Sequence, residues 1–464
     1  MTIIGQRVPR LEDGPLLRGI GRFADDIQFS NQLHMCVVRS PLAAGRIKAI
    51  DTSEARKSNG VIAVWTGADV SEIPPIDFRL SRIQGLDPYR QPILAGQYVR
   101  YVGEPVAVVF ATDPYCAEDA AGIVQIDIEA RSPHMIATDD LGEFAPGIDT
   151  EPAIVEKGYG DLAAALANAE HMIELKLHIG RHSGVPLETR GAIARYNDTL
   201  GRLELYGAAK VPHYNRNAIA EMLGLSRHGL ELFEGHVGGG FGVRGELYPE
   251  DVLVCLGALR LGRAVKWIED RRENLVATNH SRDQVHRVRV GFDDRGFILG
   301  LDDEFWSDQG AYVRTHGATV SDIGSAMLPG PYVIPAFRTR GHIRITNKTP
   351  AGTYRAPGRF ESTFVRERVL DAVADRLGLN RIEVRRVNFI DPAEMPFSRY
   401  YGALETTAIY DSGDYKRLLD RLLSYVDFNQ LESELSERRR NGELVGAGLG
   451  YYVEKSGLGP YDDV

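Results

Sequence analysis

The eleven residues "HVGGGFGVRGE" (236–246) constrain the chain more than any other stretch. Five of them are glycine, with Phe241 in their midst. Each glycine costs roughly 0.5–1 kcal/mol of extra unfolded-state entropy relative to alanine. A run of them therefore favours a place where main chain takes positive φ or comes very close to something. The strand-like "LELFEGHV" (230–237) precedes the glycines. "PEDVLVCLGALRLG" (249–262) follows and reads as a helix, opened by Pro249 with Glu250 and Asp251 and closed by Gly262. The stretch contains a literal G-x-G-x-x-G at Gly240, Gly242 and Gly245, and "RAVKWIED" (263–270) ends in Glu269 and Asp270, roughly where an NAD(P)-dependent dehydrogenase places its ribose-binding acid. Against that reading, several residues separate the glycines from Pro249, whereas in the dinucleotide fingerprint the helix starts within the motif. Three readings stand at this point: a dinucleotide cradle, a turn that binds nothing, and a bare backbone that approaches some other ligand.

A chain of 464 residues is expected to form two or three domains. Its 43% hydrophobic and 25% charged residues are those of an ordinary globular protein. The net charge of −10 argues against nucleic acid as a general partner. Cys36, Cys116 and Cys255 lie far apart and form no C-x-x-C pair, so neither a structural zinc, an iron–sulfur cluster nor a secreted disulfide scaffold is expected on this chain. "MTIIGQRVPRLEDGP" has no basic segment leading into an apolar core, and no apolar run reaches the length of a membrane span. The cytoplasm is the expected location.

Residues 1–145 read as mixed α and β. "VIAVWTG" (61–67) and "PVAVVFA" (105–111) are strand candidates, the second suited to full burial. "DPYCAEDAAGIVQ" (113–125) begins a helix with Asp113 as N-cap and Pro114 at the first position; "IDIEA" returns to a strand, as one compact β-α-β unit would. Residues 131–152 read as a linker. "ESTFVRERVLDAVADRLG" (361–378) places Val365, Val369, Ala372, Val373 and Leu377 on one helical face. "NRIEVRRVNF" (380–389) offers a capping box from Asn380 and Glu383. Residues 415–444 are amphipathic and helical in pattern, with "RRR" (438–440) as a solvated helix end. A strand-like pattern then begins at Val445, and the chain stops within it, as a truncated chain or a subunit completed by a partner would.

"GGGFG" (238–242) resembles the corresponding segment of the molybdenum-containing large subunits of the xanthine dehydrogenase, aldehyde oxidase and carbon monoxide dehydrogenase family. "GRFADDI" (21–27), "VRSPLAAGRIKAID" (38–51) and "GEPVAVVFATDPYCAEDAA" (103–121) resemble its N-terminal hammerhead domain. "VKWIEDRRENLVATNHSRDQVHRV" (265–288), "GAYV" (310–313) and "TYRAPGRFES" (353–362) resemble its first molybdopterin-binding domain. The resemblance implies an α+β fold: an a/b hammerhead domain over 1–145, a first molybdopterin-binding domain over 146–395, and the incomplete beginning of a second over 396–464. It also implies hydroxylation of an N-heteroaromatic or aldehyde-type substrate with oxygen from water. The cofactor would be molybdopterin, as such or in its cytosine dinucleotide form. Iron–sulfur clusters and FAD would sit on partner subunits, with a complementary C-terminal chain as a further partner if the large subunit is naturally split.

By the same resemblance Gly239, Gly240, Phe241 and Gly242 line the cofactor, and glycine lets main-chain N–H groups approach without a clashing Cβ. Arg355 and Ala356 lie on the facing loop and contact the cofactor. Where carbon monoxide dehydrogenases carry a copper-binding cysteine, this chain reads Ala356-Pro357, which speaks against CO oxidation. Pro357 stands where xanthine-type members place a ring-stacking phenylalanine, which speaks against a purine pocket. Lys210, 31 residues before Phe241, holds the position of a glutamine that bonds the metal's oxo ligand in many members. It reads either as a donor to the cofactor or as a surface lysine at a helix start. His213, His236, His280 and His316 show no ligand spacing and read as structural. The family's catalytic base is a glutamate of the second molybdopterin domain, so no residue of this chain is assigned as catalytic.

Overall fold

Pro105–Ala111 is buried at every position, as a strand covered on both faces must be. In the computed structural model, which describes residues 3–79, 81, 83–207, 211–400, 402 and 405–454, it belongs to a seven-stranded mixed sheet. The strand order is Leu230–Phe233, Arg202–Gly207, Gly191–Asn197, Val265–Ile268, Leu33–Arg39, Pro105–Ala111, Val61–Thr66. Leu33–Arg39 runs parallel to Val265–Ile268, so one sheet takes strands from both sides of residue 145. The helix Pro114–Gly122 starts as its sequence indicates: the Asp113 carboxylate accepts from the N–H groups of Tyr115 and Cys116. The strand after it, Gln125–Ala130, does not return to the same sheet. It pairs antiparallel with Gly45–Asp51 in a separate three-stranded sheet, so the expected compact β-α-β unit is not formed. The linker region carries a small hairpin, Glu143–Ala145 with Ile148–Asp149.

A second sheet orders His171–Ile179, Gln284–Phe292, Ile298–Asp308, Ala336–Arg344 and Ala153–Tyr159. The helix Arg359–Leu377 covers it, with Val365, Val369 and Val373 fully buried in a core that includes Val288, Val290, Phe292 and Leu301. Ala372 and Leu377 are only partly buried. Asn380 caps the helix Arg381–Asn388 by accepting from the Ile382 N–H, while Glu383, expected to complete a capping box, pairs with Arg386 instead. The 415–444 stretch is two helices, Tyr415–Tyr425 and Phe428–Arg440. They are separated at Asp427, which takes φ 44° and caps the second. Residues 445–454 join no strand ladder among the described residues. They lie as a strap, with Tyr451 packed on Phe389 and its hydroxyl donating to the Tyr415 carbonyl. Residues 455–464, the rest of the expected strand, lie outside the described residues.

Buried ions tie the first sheet to the helix Pro249–Leu261. Arg39 pairs with Glu250 and Glu273, each at 2.8 Å; Arg190 pairs with Glu250 at 3.0 Å and Glu269 at 2.5 Å. Thr278 and Asn274 complete the shell of Glu269. The guanidinium of Arg190 also lies 3.9 Å from the Tyr248 ring centroid. Burial alone would raise the Glu250 carboxyl, but Arg190 and Arg39 outweigh it and hold it at about 2. Arg190→Met leaves the buried Glu269 without its arginine and takes one of two arginines from Glu250. It is expected to lower stability by about 3–5 kcal/mol, read as a fall in the urea or thermal midpoint.

Glu104 marks the seam between Pro105–Ala111 and the loop after Ile298–Asp308. It is buried and accepts from Tyr312 Oη and the Arg100 N–H, each at 2.5 Å. Burial raises its carboxyl to about 7, against the pull of those hydrogen bonds. A carboxyl raised on folding favours the folded state below its unfolded value of 4.5, and that contribution is lost as pH rises through 7. Glu104→Gln is therefore expected to flatten the fall in melting temperature between about pH 5 and pH 8.

Candidate functional site

The glycine stretch is held from behind by its own charged residues. Arg244, buried, donates from Nε to the Gly239 carbonyl at 2.7 Å and from Nη2 to the carbonyls of Glu188 and Thr189. The Glu188 carboxylate accepts from the Gly238 N–H at 2.7 Å. Glu246, also buried, accepts from the Thr353 N–H at 2.8 Å and from the Thr315 hydroxyl. Burial pushes the Glu246 carboxyl up, but His316, Arg314 and these hydrogen bonds outweigh it and leave it below its ordinary value. Glu246 thus fastens the end of one loop to the start of another, residues 353–358.

The two loops then meet directly. The Arg355 N–H donates to the Phe241 carbonyl at 2.7 Å. Phe241 and Ala356 both lie in the left-handed region, at φ 48° and 57°. That costs a non-glycine residue about 1–3 kcal/mol and persists only where the surroundings enforce it. The outer edge of the junction is open. Phe241 is 47% exposed, and Arg355 and Ala356 are exposed as well. No described residue accepts from the N–H groups of Gly240, Phe241 or Ala356.

The glycines divide into two kinds. Gly242 takes φ 101°, and a Cβ there would meet Thr353 and Tyr354 at 3.0–3.1 Å, so it is required by loop-on-loop packing. Gly239 takes φ 106° and is hemmed in by Phe241 and Pro186. A Cβ at Gly240 would meet nothing within 4 Å. It is the bare position that a bound group could approach.

This geometry removes the dinucleotide reading. Leu230–Phe233 and Val265–Ile268 are separated in the sheet by two strands, whereas a nucleotide-binding β-α-β unit makes them neighbours. A 3-10 turn, Val243–Gly245, intervenes before the helix. The first turn of that helix carries Glu250, already engaged by Arg39 and Arg190, and Glu269 is buried on Arg190. Among the described residues, no α-helix begins within the glycine stretch.

Residues 148–389 match the molybdopterin cofactor-binding domain, and residues 18–132 match the a/b hammerhead domain of aldehyde oxidase and xanthine dehydrogenase. The chain belongs to the molybdenum hydroxylase large-subunit family. It is 39% identical to the 6-hydroxypseudooxynicotine dehydrogenase complex subunit gamma of Paenarthrobacter nicotinovorans, over 99% of this chain and 59% of that protein. It is 34% identical to the nicotine 6-hydroxylase large subunit of the same organism, over 98% of this chain and 56% of that protein. Among solved structures, quinoline 2-oxidoreductase from Pseudomonas putida 86 superposes with a TM-score of 0.88 at 34% identity, covering 95% of this chain and 56% of that one. The chain thus spans less than two thirds of the length of these relatives.

The structure brings together Gly239, Gly240, Phe241, Gly242, Arg355 and Ala356, with Pro357 half-buried beside them. The main chain of Arg355 is engaged on both sides, its N–H by Phe241 and its carbonyl by Arg282 Nη2, while no described residue accepts from the Ala356 N–H that follows. Lys210 lies outside the described residues; the strand before it ends at Gly207 and the helix after it begins at Pro212. Of the four histidines set aside, His236 accepts from the Arg22 N–H, and His280 bonds the Leu275 carbonyl with its ring pushed by burial to about 4. His316, however, borders the site, 2.6 Å from the Thr353 hydroxyl. Arg79 also reaches the site's edge from the N-terminal half, its N–H donating to Thr315 and its guanidinium stacked over Tyr214. Nothing in its local sequence, "IDFRL", marks it.

Since Gly242 is structural and Gly240 is open, alanine should separate them in the cofactor-free protein. Gly242→Ala is expected to lose about 1–3 kcal/mol, while Gly240→Ala stays within about 0.5 kcal/mol of wild type. Equal melting temperatures for the two variants would contradict the assignment.

Proposed function

We propose that this chain provides the hammerhead and first molybdopterin-binding parts of an oxidoreductase that hydroxylates an N-heteroaromatic ring, with aldehyde-type substrates as the second candidate. The observation that carries this is the loop junction: two strained loops locked together, with the N–H groups of Gly240, Phe241 and Ala356 left without an acceptor among the described residues, beside a glycine that leaves space. Fixed donors with no protein acceptor suit an anionic group better than an apolar one. Gly240, Phe241 and Ala356 would hold the molybdenum cofactor, as molybdopterin or its cytosine dinucleotide, through main chain. Gly239 and Gly242 would shape the cradle and the Arg355 side chain would flank it. Lys210 would add a donor and Pro357 would face the substrate. When bound, that cofactor supplies water-derived oxygen and takes up two electrons.

Nicotine and quinoline, for which two of the similar proteins are named, are N-heteroaromatics, which favours that substrate class. Iron–sulfur and FAD subunits would receive the electrons, and a C-terminal molybdopterin domain, on the same or a separate chain, would supply the base. The working assembly would be cytoplasmic; no helix among the described residues is long and apolar enough to cross a membrane. The hammerhead part would extend to residue 145 and the first molybdopterin-binding part from 146 to 395, with the beginning of a second over 396–464.

The test is the molybdenum and pterin content of the complete complex, compared with Gly240→Val. The variant is expected to keep its melting temperature and lose most of its molybdenum, because a β-branched side chain occupies the open space. Full molybdenum in Gly240→Val, or a complex that binds NADPH and contains no molybdenum, would overturn the reading. Residues 1–464 alone are expected to turn over neither a pyridine-type ring nor an aldehyde.

A further inference from the structure

Two buried arginines grip the carbonyls directly behind the outward N–H groups. A trans peptide is planar, and its C=O and N–H point in opposite directions. The Gly239 carbonyl and the Gly240 N–H belong to one such unit, and Arg244 Nε holds that carbonyl at 2.7 Å. The Arg355 carbonyl and the Ala356 N–H belong to another, and Arg282 Nη2 holds that carbonyl at 2.8 Å. In each case a fixed cation pulls the carbonyl inward, so the N–H of the same unit is turned outward. The pull also polarises the peptide and strengthens the N–H as a donor.

Arg282 is built into place with unusual care. Arg282 and its neighbour Asp283 both take φ 66°, a conformation non-glycine residues adopt at a cost. The turn is held by Asp283, which pairs with Arg181 at 3.0 Å and Lys348 at 3.1 Å, and by the Asp283 carbonyl, which accepts from the Asp308 N–H. From that turn the Arg282 side chain reaches into the protein. Its guanidinium lies 4.8 Å from the Tyr354 ring centroid and 4.3 Å from that of Phe360, with the buried Glu361 carboxylate 3.9 Å away. Two rings against it leave the guanidinium little freedom.

We propose that Arg282 and Arg244 are positioning residues that aim and polarise the Ala356 and Gly240 N–H groups toward an anionic oxygen of the bound cofactor. This rests on the cofactor reading given above. Neither arginine touches that group; each acts through one peptide unit. The two are not equally testable, because Arg244 also holds the carbonyls of Glu188 and Thr189, whereas Arg282 makes a single main-chain bond within the 353–358 loop.

The experiment compares wild type, Arg282→Met and Arg282→Lys in the complete complex, with rates expressed per bound molybdenum and the Mo(V) electron paramagnetic resonance signal recorded alongside. Arg282→Met is expected to lower kcat per molybdenum by roughly 10-fold or more, since one oxyanion donor is worth about 100-fold or more when removed outright. KM is expected to stay within about twofold, and the Mo(V) g-values to shift, because a mis-aimed donor alters the field at the metal. Arg282→Lys, which keeps a charge and a donor, is expected to recover most of the rate. A residue that merely stabilises the fold would lower molybdenum content and melting temperature together and leave the rate and signal per molybdenum unchanged; that result overturns the proposal. Should Arg282→Met fail to assemble, Arg282→Gln, with a donor but no charge, is read by the same two measurements and the same two outcomes. A wild-type complex without molybdenum would sink the cofactor reading itself, whereas a loaded wild type matched in rate and signal by Arg282→Met would sink only the role of the arginine.

Discussion

The single hydrogen bond from the Arg355 N–H to the Phe241 carbonyl decides what this molecule can present to a ligand. It joins two loops that are separated by more than a hundred residues in sequence and approached from different sheets. Residues 236–246 follow the edge strand of the seven-stranded sheet, and residues 353–358 follow the last strand of the five-stranded one. Neither loop could hold its left-handed residue alone. Phe241 and Ala356 together forgo about 2–6 kcal/mol of backbone preference, and one main-chain bond, worth about 1 kcal/mol net, does not offset that. The remainder comes from the buried charges behind the loops: Arg244 on Gly239, Glu246 on Thr353, Arg282 on Arg355.

Those charges in turn need a rigid frame. The Arg39–Glu250–Arg190–Glu269 network lies beneath the glycine loop and connects strands from the N-terminal half to the helix that follows the loop. A buried ion pair adds little net stability over an apolar one of equal volume, yet it penalises every arrangement that separates its members. Its contribution here is register: Leu33–Arg39, Gly191–Asn197 and Val265–Ile268 are held so that the glycine loop leaves the sheet at one height and angle. The hammerhead half is therefore part of the frame of the site, and Arg79 carries its influence to the rim, beside Thr315.

Local chemistry made much of the fold legible. Asp113 with Pro114, Gly262, and the Val365–Val369–Val373 face are each decided within a few residues of chain, and each forms as its pattern indicates. What was not legible depended on pairing. Gln125–Ala130 carries the same strand signal in either sheet, and only its partner, Gly45–Asp51, distinguishes a β-α-β unit from two sheets. The break at Asp427 was hidden because the amphipathic pattern continues on both sides of it. At the site, composition marks the glycines but not their separate duties, since the crowding that sets Gly242 apart from Gly240 comes from Thr353 and Tyr354, more than a hundred residues away. Arg244 and Glu246 stand inside the glycine stretch itself, yet an arginine and a glutamate beside glycines carry no local sign that they will be buried.

The division between anchors and edge has a consequence for how such a site works. Every contact that shapes the loops comes from protein groups on the buried side: carboxylates, guanidiniums and main chain. Among the described residues nothing accepts from the N–H groups of Gly240, Phe241 and Ala356, which take no part in locking the loops together. Their direction is therefore set before any ligand arrives, and little reorganisation is required when one does. Donors fixed in this way stabilise developing negative charge more effectively than donors that must turn to meet it, because the work of orientation was done during folding. The same separation explains why the strain is tolerable. Left-handed residues at 241, 282, 283 and 356 are distributed over three loops, and each lies at or within two residues of a contact made by a buried or half-buried charged side chain, so no single contact bears the whole cost.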